Sequence, residues 1–132
     1  MMLLTPKLRA RLIAHNRALR AAQREGRREP DPAPVVKFFN PCGAATWLAS
    51  ELDPDGDTLF GLADLGFGCP ELGAFSLSEL AEVRLPWGLG IERDLVFAGR
   101  FPLSIYVDAA RRTGSIMQAI GLLHALPEGG AS

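Results

Sequence analysis

The sequence predicts an α+β fold, a small antiparallel sheet of about four to five strands covered by an N-terminal helix and a C-terminal helix. Three observations carry that prediction. Residues 5–24 hold an apolar stripe of helical period behind a proline start, and residues 102–112 hold a second proline-started helical pattern. Between them, strand-like segments are joined by turn signals. With 132 residues the chain fits one domain that can bury a hydrophobic core. An apolar fraction of 48% beside a charged fraction of 22% excludes a disordered polar chain.

Taken in order, Thr5 and Pro6 read as a hydroxyl N-cap and a first-turn proline, where the missing N–H costs nothing. Leu8, Leu12, Ile13 and Leu19 give the first helix its packing stripe, and Gly26 with Pro30, Pro32 and Pro34 ends it. VVKFF (35–39) reads as a short strand and NPCG (40–43) as the turn after it. TWLASEL (46–52) alternates Trp47, Ala49 and Glu51 against Thr46, Leu48 and Leu52. TLFGLADLG (58–66) reads as a strand buried on both sides. The linking Asp53-Pro54-Asp55-Gly56 has the proline and glycine placement of a type I hairpin turn.

GFGCPELG (66–73) reads as a glycine-rich loop. Ser76 with Glu79 three residues on reads as a capping box that starts a short helix. LPWGLG (85–90) reads as a tight connection and IERDLVF (91–97) as a last strand. Pro102 starts a helix that packs through Ile105, Tyr106 and Ala109 and stops at Gly114. Residues 115–126 form a further apolar helical segment, with Ile116, Ile120 and Leu123 as a stripe able to pair two copies of the chain. The organisation that follows is a basic amphipathic helix (1–29) packed on the body, a Pro-rich linker (30–34), a core domain (35–114), and an apolar tail with a disordered end (115–132).

The net charge of −1 conceals a division. Residues 1–29 carry eight Lys or Arg against two Glu, whereas the remainder carries six basic and thirteen acidic side chains. A basic helix on an acidic body can dock internally or meet a partner of opposite sign. Arg9, Arg17, Arg20, Arg24, Arg27 and Arg28 are the candidate nucleic-acid contacts. The segment offers no aromatic side chain on which bases could stack, and internal docking is the reading that charge balance favours.

Asp53, Asp55, Asp57 and Asp64 fall at positions one, three, five and twelve of a calcium-loop window. Such a loop bends at a sixth-position glycine, but Gly56 is fourth and Thr58 is sixth, which suits a solvated turn. Cys42 and Cys69 each sit in a glycine-containing turn beside a proline. His15 and His124, the only histidines, have no paired zinc spacing, so buried structural thiols are expected. Glycine pairs in GFGCPELG and GLGIERD lack the strand–loop–helix context of a nucleotide site. No catalytic set, metal or cofactor is therefore expected. Cys42, Asp64, Cys69 and Glu71 mark a candidate binding surface if their loops converge, and Glu51 is a further carboxylate that could meet Asp64 and Glu71 in a cleft.

The ordered run KFFNP…TWL…ELDPDGDTLFGLADLGFGCPELG…SLSEL…GIERD resembles a family of small uncharacterised bacterial proteins, a domain of unknown function. The likeness covers roughly Leu4 to Ile116, with Arg20–Glu29 and the tail after Ile116 as additions. The resemblance implies a single-domain cytoplasmic protein, found mainly in proteobacteria and often on plasmids or integrative elements, and it brings no catalytic residues.

The function expected first is that of a non-enzymatic accessory protein of mobile elements whose partner is another protein. Nucleic-acid binding through the arginine-rich helix is the second expectation, and a small hydrolase or metal-dependent enzyme built on the acidic and cysteine loops is the third. A homodimer through 115–126 is compatible with each. No apolar run approaches the roughly 18 residues of a membrane helix and no continuous signal-peptide core opens the chain, so a cytoplasmic protein without a membrane partner is expected. The two cysteines without a disulfide framework agree with that compartment.

Overall fold

The computed structural model describes residues 2–127. The chain runs α1 (Pro6–Arg24), β1 (Val36–Phe39), β2 (Thr46–Leu52), β3 (Thr58–Asp64), β4 (Glu71–Ser76), α2 (Leu77–Glu82), a 3₁₀ turn (Pro86–Gly88), β5 (Glu92–Arg93), α3 (Leu103–Thr113) and α4 (Ile116–His124). All five strands join one antiparallel sheet in the order β4-β3-β2-β1-β5. The α+β expectation therefore holds, with α1 before the sheet and α3 and α4 after it. Among the described residues no helix is long and apolar enough to cross a membrane.

Local chemistry accounts for the boundaries. Thr5 Oγ1 accepts from the Leu8 amide at 3.2 Å, and Pro6 opens the first turn of α1. The helix stops at Arg24, so Arg27 and Arg28 lie beyond it. The Gly56 amide donates to the Asp53 carbonyl at 2.9 Å with Gly56 at φ 75, the hairpin turn expected from Asp-Pro-Asp-Gly. Ser76 Oγ accepts from the Glu79 amide and starts α2.

Three elements differ from the sequence reading. The segment expected as a loop, 66–73, contributes its last three residues to β4, which pairs with β3 from Thr58↔Ser76 to Ala63↔Glu71. Pro70 and Gly73 obscured a strand whose edge position tolerates them. The last strand is only Glu92–Arg93, because Asp94 Oδ1 accepts from the Val96 amide and turns the chain. The buried face of α3 is Leu103, Tyr106, Val107 and Ala110, whereas Ile105 is 42% exposed. That set is the full i, i+3, i+4, i+7 stripe of a helix lying on a sheet.

Each face of the sheet carries a core. Leu12 of α1 packs with Phe38, Trp47, Ala49, Leu52 and Leu59 on one face. Leu48 and Leu62 pack under Tyr106 and Ala110 of α3 and Ile116 of α4 on the other. Strand β2 serves both, and all seven of its residues are buried.

Its alternation breaks at a β-bulge: Ala49 pairs with Gly61, but Glu51 pairs with Phe60 and Leu52 with Leu59. Ser50 is the extra residue. The expected grouping of Trp47, Ala49 and Glu51 is therefore corrected. Leu52 joins Trp47 and Ala49 in the first core, and Glu51 opposes Phe60, which packs against the second.

Helix α4 is fixed at both ends. Asp64 Oδ2 accepts from the Ile116 amide at 3.0 Å. The Arg100 amide donates to the Tyr106 hydroxyl, which shares a hydrogen bond of 2.7 Å with His124 Nε2. Burial and the nearby Arg100 and Lys37 charges push the His124 pKa down. Ile116, Ile120 and Leu123, the stripe read as a pairing face, pack on the second core, and Met117, Leu122 and Leu126 are exposed instead. Residues 128–132, read as part of a disordered end, lie outside the described residues.

The bulge leaves no room opposite it. A Cβ on Gly61 would lie 1.8 Å from the Leu48 carbonyl oxygen, whereas one on its cross-strand neighbour Gly73 would meet nothing within 4 Å. Gly61→Ala should lower stability by about 3 kcal/mol in urea denaturation with an unchanged m-value, and Gly73→Ala should stay within about 0.5 kcal/mol of the parent.

Candidate functional site

The bulge places Ser50 and Glu51 in the lining of a cleft of about 620 Å³. Such a volume lies within the range of ordinary ligand sites. Leu19, Phe60, Leu72, Leu103 and Val107 supply its apolar walls, and the linker residues Pro30–Pro32 close one side. A smaller hollow of about 210 Å³ shares Leu19, Glu51 and Phe60 with it.

The cleft exists because β1 stops short. Its pairing with β2 reaches only Val36↔Ala49, so the backbone of Ser50–Leu52 has no strand on that side. Helix α1 takes the place of the missing strand. His15 Nδ1 meets the Ser50 carbonyl at 2.8 Å, and Asn16, itself buried, donates to Glu51 Oε1 at 3.2 Å. Arg20 Nε donates to Asn16 Oδ1 at 3.1 Å while its Nη2 pairs with Asp53 at 2.6 Å. Glu51, Asn16, Arg20 and Asp53 thus form one chain of hydrogen bonds.

Two polar groups at the cleft remain uncommitted. Ser50 is 1% exposed, and its Oγ is the one buried side-chain polar atom without a hydrogen-bond partner among the described residues. Glu51 is 8% exposed, and its Oε2 accepts no hydrogen bond from a described residue. A buried hydroxyl without a partner costs about 1–3 kcal/mol, which a ligand or ordered water would recover. Burial raises the Glu51 pKa above the ordinary carboxylate value, with Glu29 adding to the rise; the Asn16 bond and the His15 and Arg20 charges hold it down in part.

The opposite wall is fixed from the linker. Asp31 Oδ1 accepts from the Ser104 amide at 3.2 Å and Asp31 Oδ2 accepts from the Ser104 hydroxyl. An aspartate from the linker therefore serves the first turn of α3, which has no cap of its own at Pro102. Asp108 on the same wall pairs with the exposed Arg112.

The six candidate arginines divide. Arg9 donates to the Gly56 carbonyl at 3.1 Å, Arg20 holds Asp53, and Arg27 pairs with Glu25. Arg17, Arg24 and Arg28 are exposed. Two arginines of helix α1, Arg9 and Arg20, bond to the body.

Of the four loop residues read as a binding surface, the structure brings all to one end of the sheet but not to one pocket. Thr46↔Asp64 pairing sets the β1–β2 turn beside the β3–β4 loop. Cys69 and Glu71 line a hollow of about 150 Å³ with Ala63, Leu65 and Phe67; Cys42 and Asp64 are not part of it. Both thiols are free and exposed, so the expectation of buried cysteines is corrected: each sits in an open turn rather than under the sheet. Asp64 is 3% exposed and spends its carboxylate on the Gly66 and Ile116 amides. It does not meet Glu51 or Glu71 in a shared cleft.

The aspartates of the hairpin are also occupied. Asp55 accepts from the Asp57 and Thr58 amides and the Thr58 hydroxyl, and Asp57 accepts from Ser76 Oγ and the Ser78 amide. These bonds lower both pKa values, those from Thr58 foremost for Asp55 and that from Ser78 for Asp57. Among the described residues no group of three His, Cys, Asp or Glu is placed to hold a metal ion.

Residues 3–117 match the family model described as a protein of unknown function (DUF2958). The chain belongs to that family. No curated protein and no solved structure is significantly similar to it. Ser50 was the residue that sequence reasoning missed. Its signal was a polar Ser-Glu pair among the apolar residues of the strand, with Gly61 in the next strand pairing with the preceding Ala49.

The raised Glu51 pKa has a defined sign in stability. The folded protein holds the Glu51 proton more tightly than the unfolded chain, so the cost of burying the carboxylate is absent at acid pH and grows as pH rises through the folded value. Glu51→Gln removes that cost while keeping a hydrogen-bonding group. Its melting temperature relative to the parent should therefore rise from pH 4 to pH 7.5, roughly across the carboxylate range. A difference that stays constant or falls over that range would show that Glu51 is not held in this way.

Proposed function

We propose that the protein is a non-enzymatic accessory protein of mobile genetic elements, acting in the cytoplasm by holding an extended segment of a partner protein in the Glu51 cleft. The observation that carries this reading is the pair of uncommitted polar groups, Ser50 Oγ and Glu51 Oε2, on a cleft otherwise walled by apolar side chains. That composition, mostly apolar with a few fixed polar groups, is the composition of a recognition site.

The cleft also borders β4 through Leu72, and β4 is the terminal strand of the sheet. An extended segment entering there would find unpaired main-chain groups beside the pocket, the arrangement used in strand addition. Free, exposed Cys42 and Cys69 suit a reducing compartment. The mobile-element setting rests on the sequence resemblance.

Nucleic-acid binding has less support. Arg9 and Arg20 bond to the body, and the exposed Arg17, Arg24 and Arg28 lie in a segment without Phe, Trp or Tyr on which bases could stack. Catalysis has less support again, since Asp64, Asp55 and Asp57 spend their carboxylates on backbone amides.

Affinity capture from cell extract with the parent protein and with Leu72→Lys, a change at an exposed cleft residue, separates these readings. A protein retained by the parent and lost from Leu72→Lys is the expected result. Identical captures by both proteins would reject the cleft as the site. Tight DNA or RNA binding at low salt that Leu72→Lys leaves unchanged would favour the arginine helix instead.

A further inference from the structure

Four acidic residues, Glu29, Asp31, Glu51 and Asp108, line the cleft beside a single base, Arg111. Arg112 offsets Asp108, and Arg20 is already matched by Asp53. Glu29, Asp31 and Glu51 therefore outweigh Arg111, and the field inside the cleft is negative. Acidic residues alone would be unremarkable on a solvated surface. What gives them direction is Ser50 Oγ, buried and without a partner, adjacent in sequence to a carboxylate with a free oxygen.

We propose that the cleft receives a lysine or arginine side chain from the partner segment, with its cationic head on Glu51 and Ser50 and its aliphatic stem against the apolar walls. The proposal rests on the binding reading above and specifies its ligand. Ammonium and guanidinium groups carry only donors, and both waiting atoms can accept. Long basic side chains pair an apolar stem with a charged head, which matches Phe60 and Leu103 on the walls and Glu51 beside them. An aromatic ring such as Phe60 adds attraction for a cation. An anionic ligand would instead bring a further negative charge to a carboxylate already deprived of water. A neutral apolar ligand would fill the walls and leave Ser50 Oγ and Glu51 Oε2 unpaired.

The test uses three peptides of one length, Ac-Leu-Arg-Leu-NH₂ and its Gln and Glu counterparts, titrated into the isotope-labelled full chain. Amide shifts are followed in NMR spectra. The Arg peptide should move the Ser50, Glu51, Phe60 and Ser104 signals and bind about tenfold more tightly than the Gln peptide, the ratio expected for one charge-assisted hydrogen bond. The Glu peptide should be the weakest of the three.

Glu51→Gln should reduce the Arg preference to less than about threefold, with the larger loss of affinity falling on the Arg peptide. Retention of the parent amide spectrum outside the cleft certifies that variant as folded. Equal binding of the Arg and Gln peptides at the cleft, or an Arg preference that survives Glu51→Gln, would overturn the cation assignment and leave the binding reading standing. Peptides that move no cleft signal would overturn the cation assignment, and Leu72→Lys capture would then decide the binding reading separately.

Discussion

One extra residue in β2 determines most of what is distinctive here. Without the bulge at Ser50, strict alternation would turn Glu51 into the apolar core of Trp47, Ala49 and Leu59 and expel Leu52 from it. Burying an unpaired carboxylate there would cost several kcal/mol, and losing Leu52 from the core about 2 kcal/mol more. The bulge avoids both costs, and Gly61 is its counterpart in β3, since any side chain there would strike the Leu48 carbonyl. The same bulge lies where β1 has ended, so α1 supplies the partners of Ser50 and Glu51 that a strand would otherwise give. The register of Glu51 and Leu52 follows from this insertion, and the cleft from the insertion together with the early end of β1.

The charged side chains serve geometry before anything else. Asp64 joins a loop to the first turn of α4, Asp57 joins the hairpin to α2, and Asp31 joins the linker to α3. Each carboxylate takes backbone amides that helix or turn geometry would leave without acceptors. Arg100 does the converse at the far end of α4, donating to the His124 and Leu126 carbonyls. Against this background Glu51 stands apart. It is buried, it meets only one side-chain donor, and its pKa moves upward while those of Asp55 and Asp57 move downward.

Much of the fold was legible because its signals are local. Thr5-Pro6, Asp-Pro-Asp-Gly and Ser76 with Glu79 act within four residues, and each forms the element it announces. Strand β4 was not legible, since an edge strand with Pro70 before it and Gly73 inside it lacks the composition of a central one. The two-residue β5 was overread because Leu95 and Val96, apolar but exposed, extend a strand-like pattern past the turn at Asp94. The cleft was the least legible feature. It depends on where β1 stops and on which side of β2 the extra residue falls, and both are properties of pairing between segments. Sequence reasoning named Glu51 but grouped it with Asp64 and Glu71, which the sheet keeps elsewhere.

The account depends on Glu51 being a carboxylate withdrawn from water at the edge of an accessible cleft. Carbon-13 NMR titration of the Glu51 side-chain carboxyl in the full chain measures that directly. A midpoint above the ordinary glutamate value of 4.5 is predicted. A midpoint at or below that value would mean a solvated or strongly paired carboxylate, and would contradict the binding site built on it.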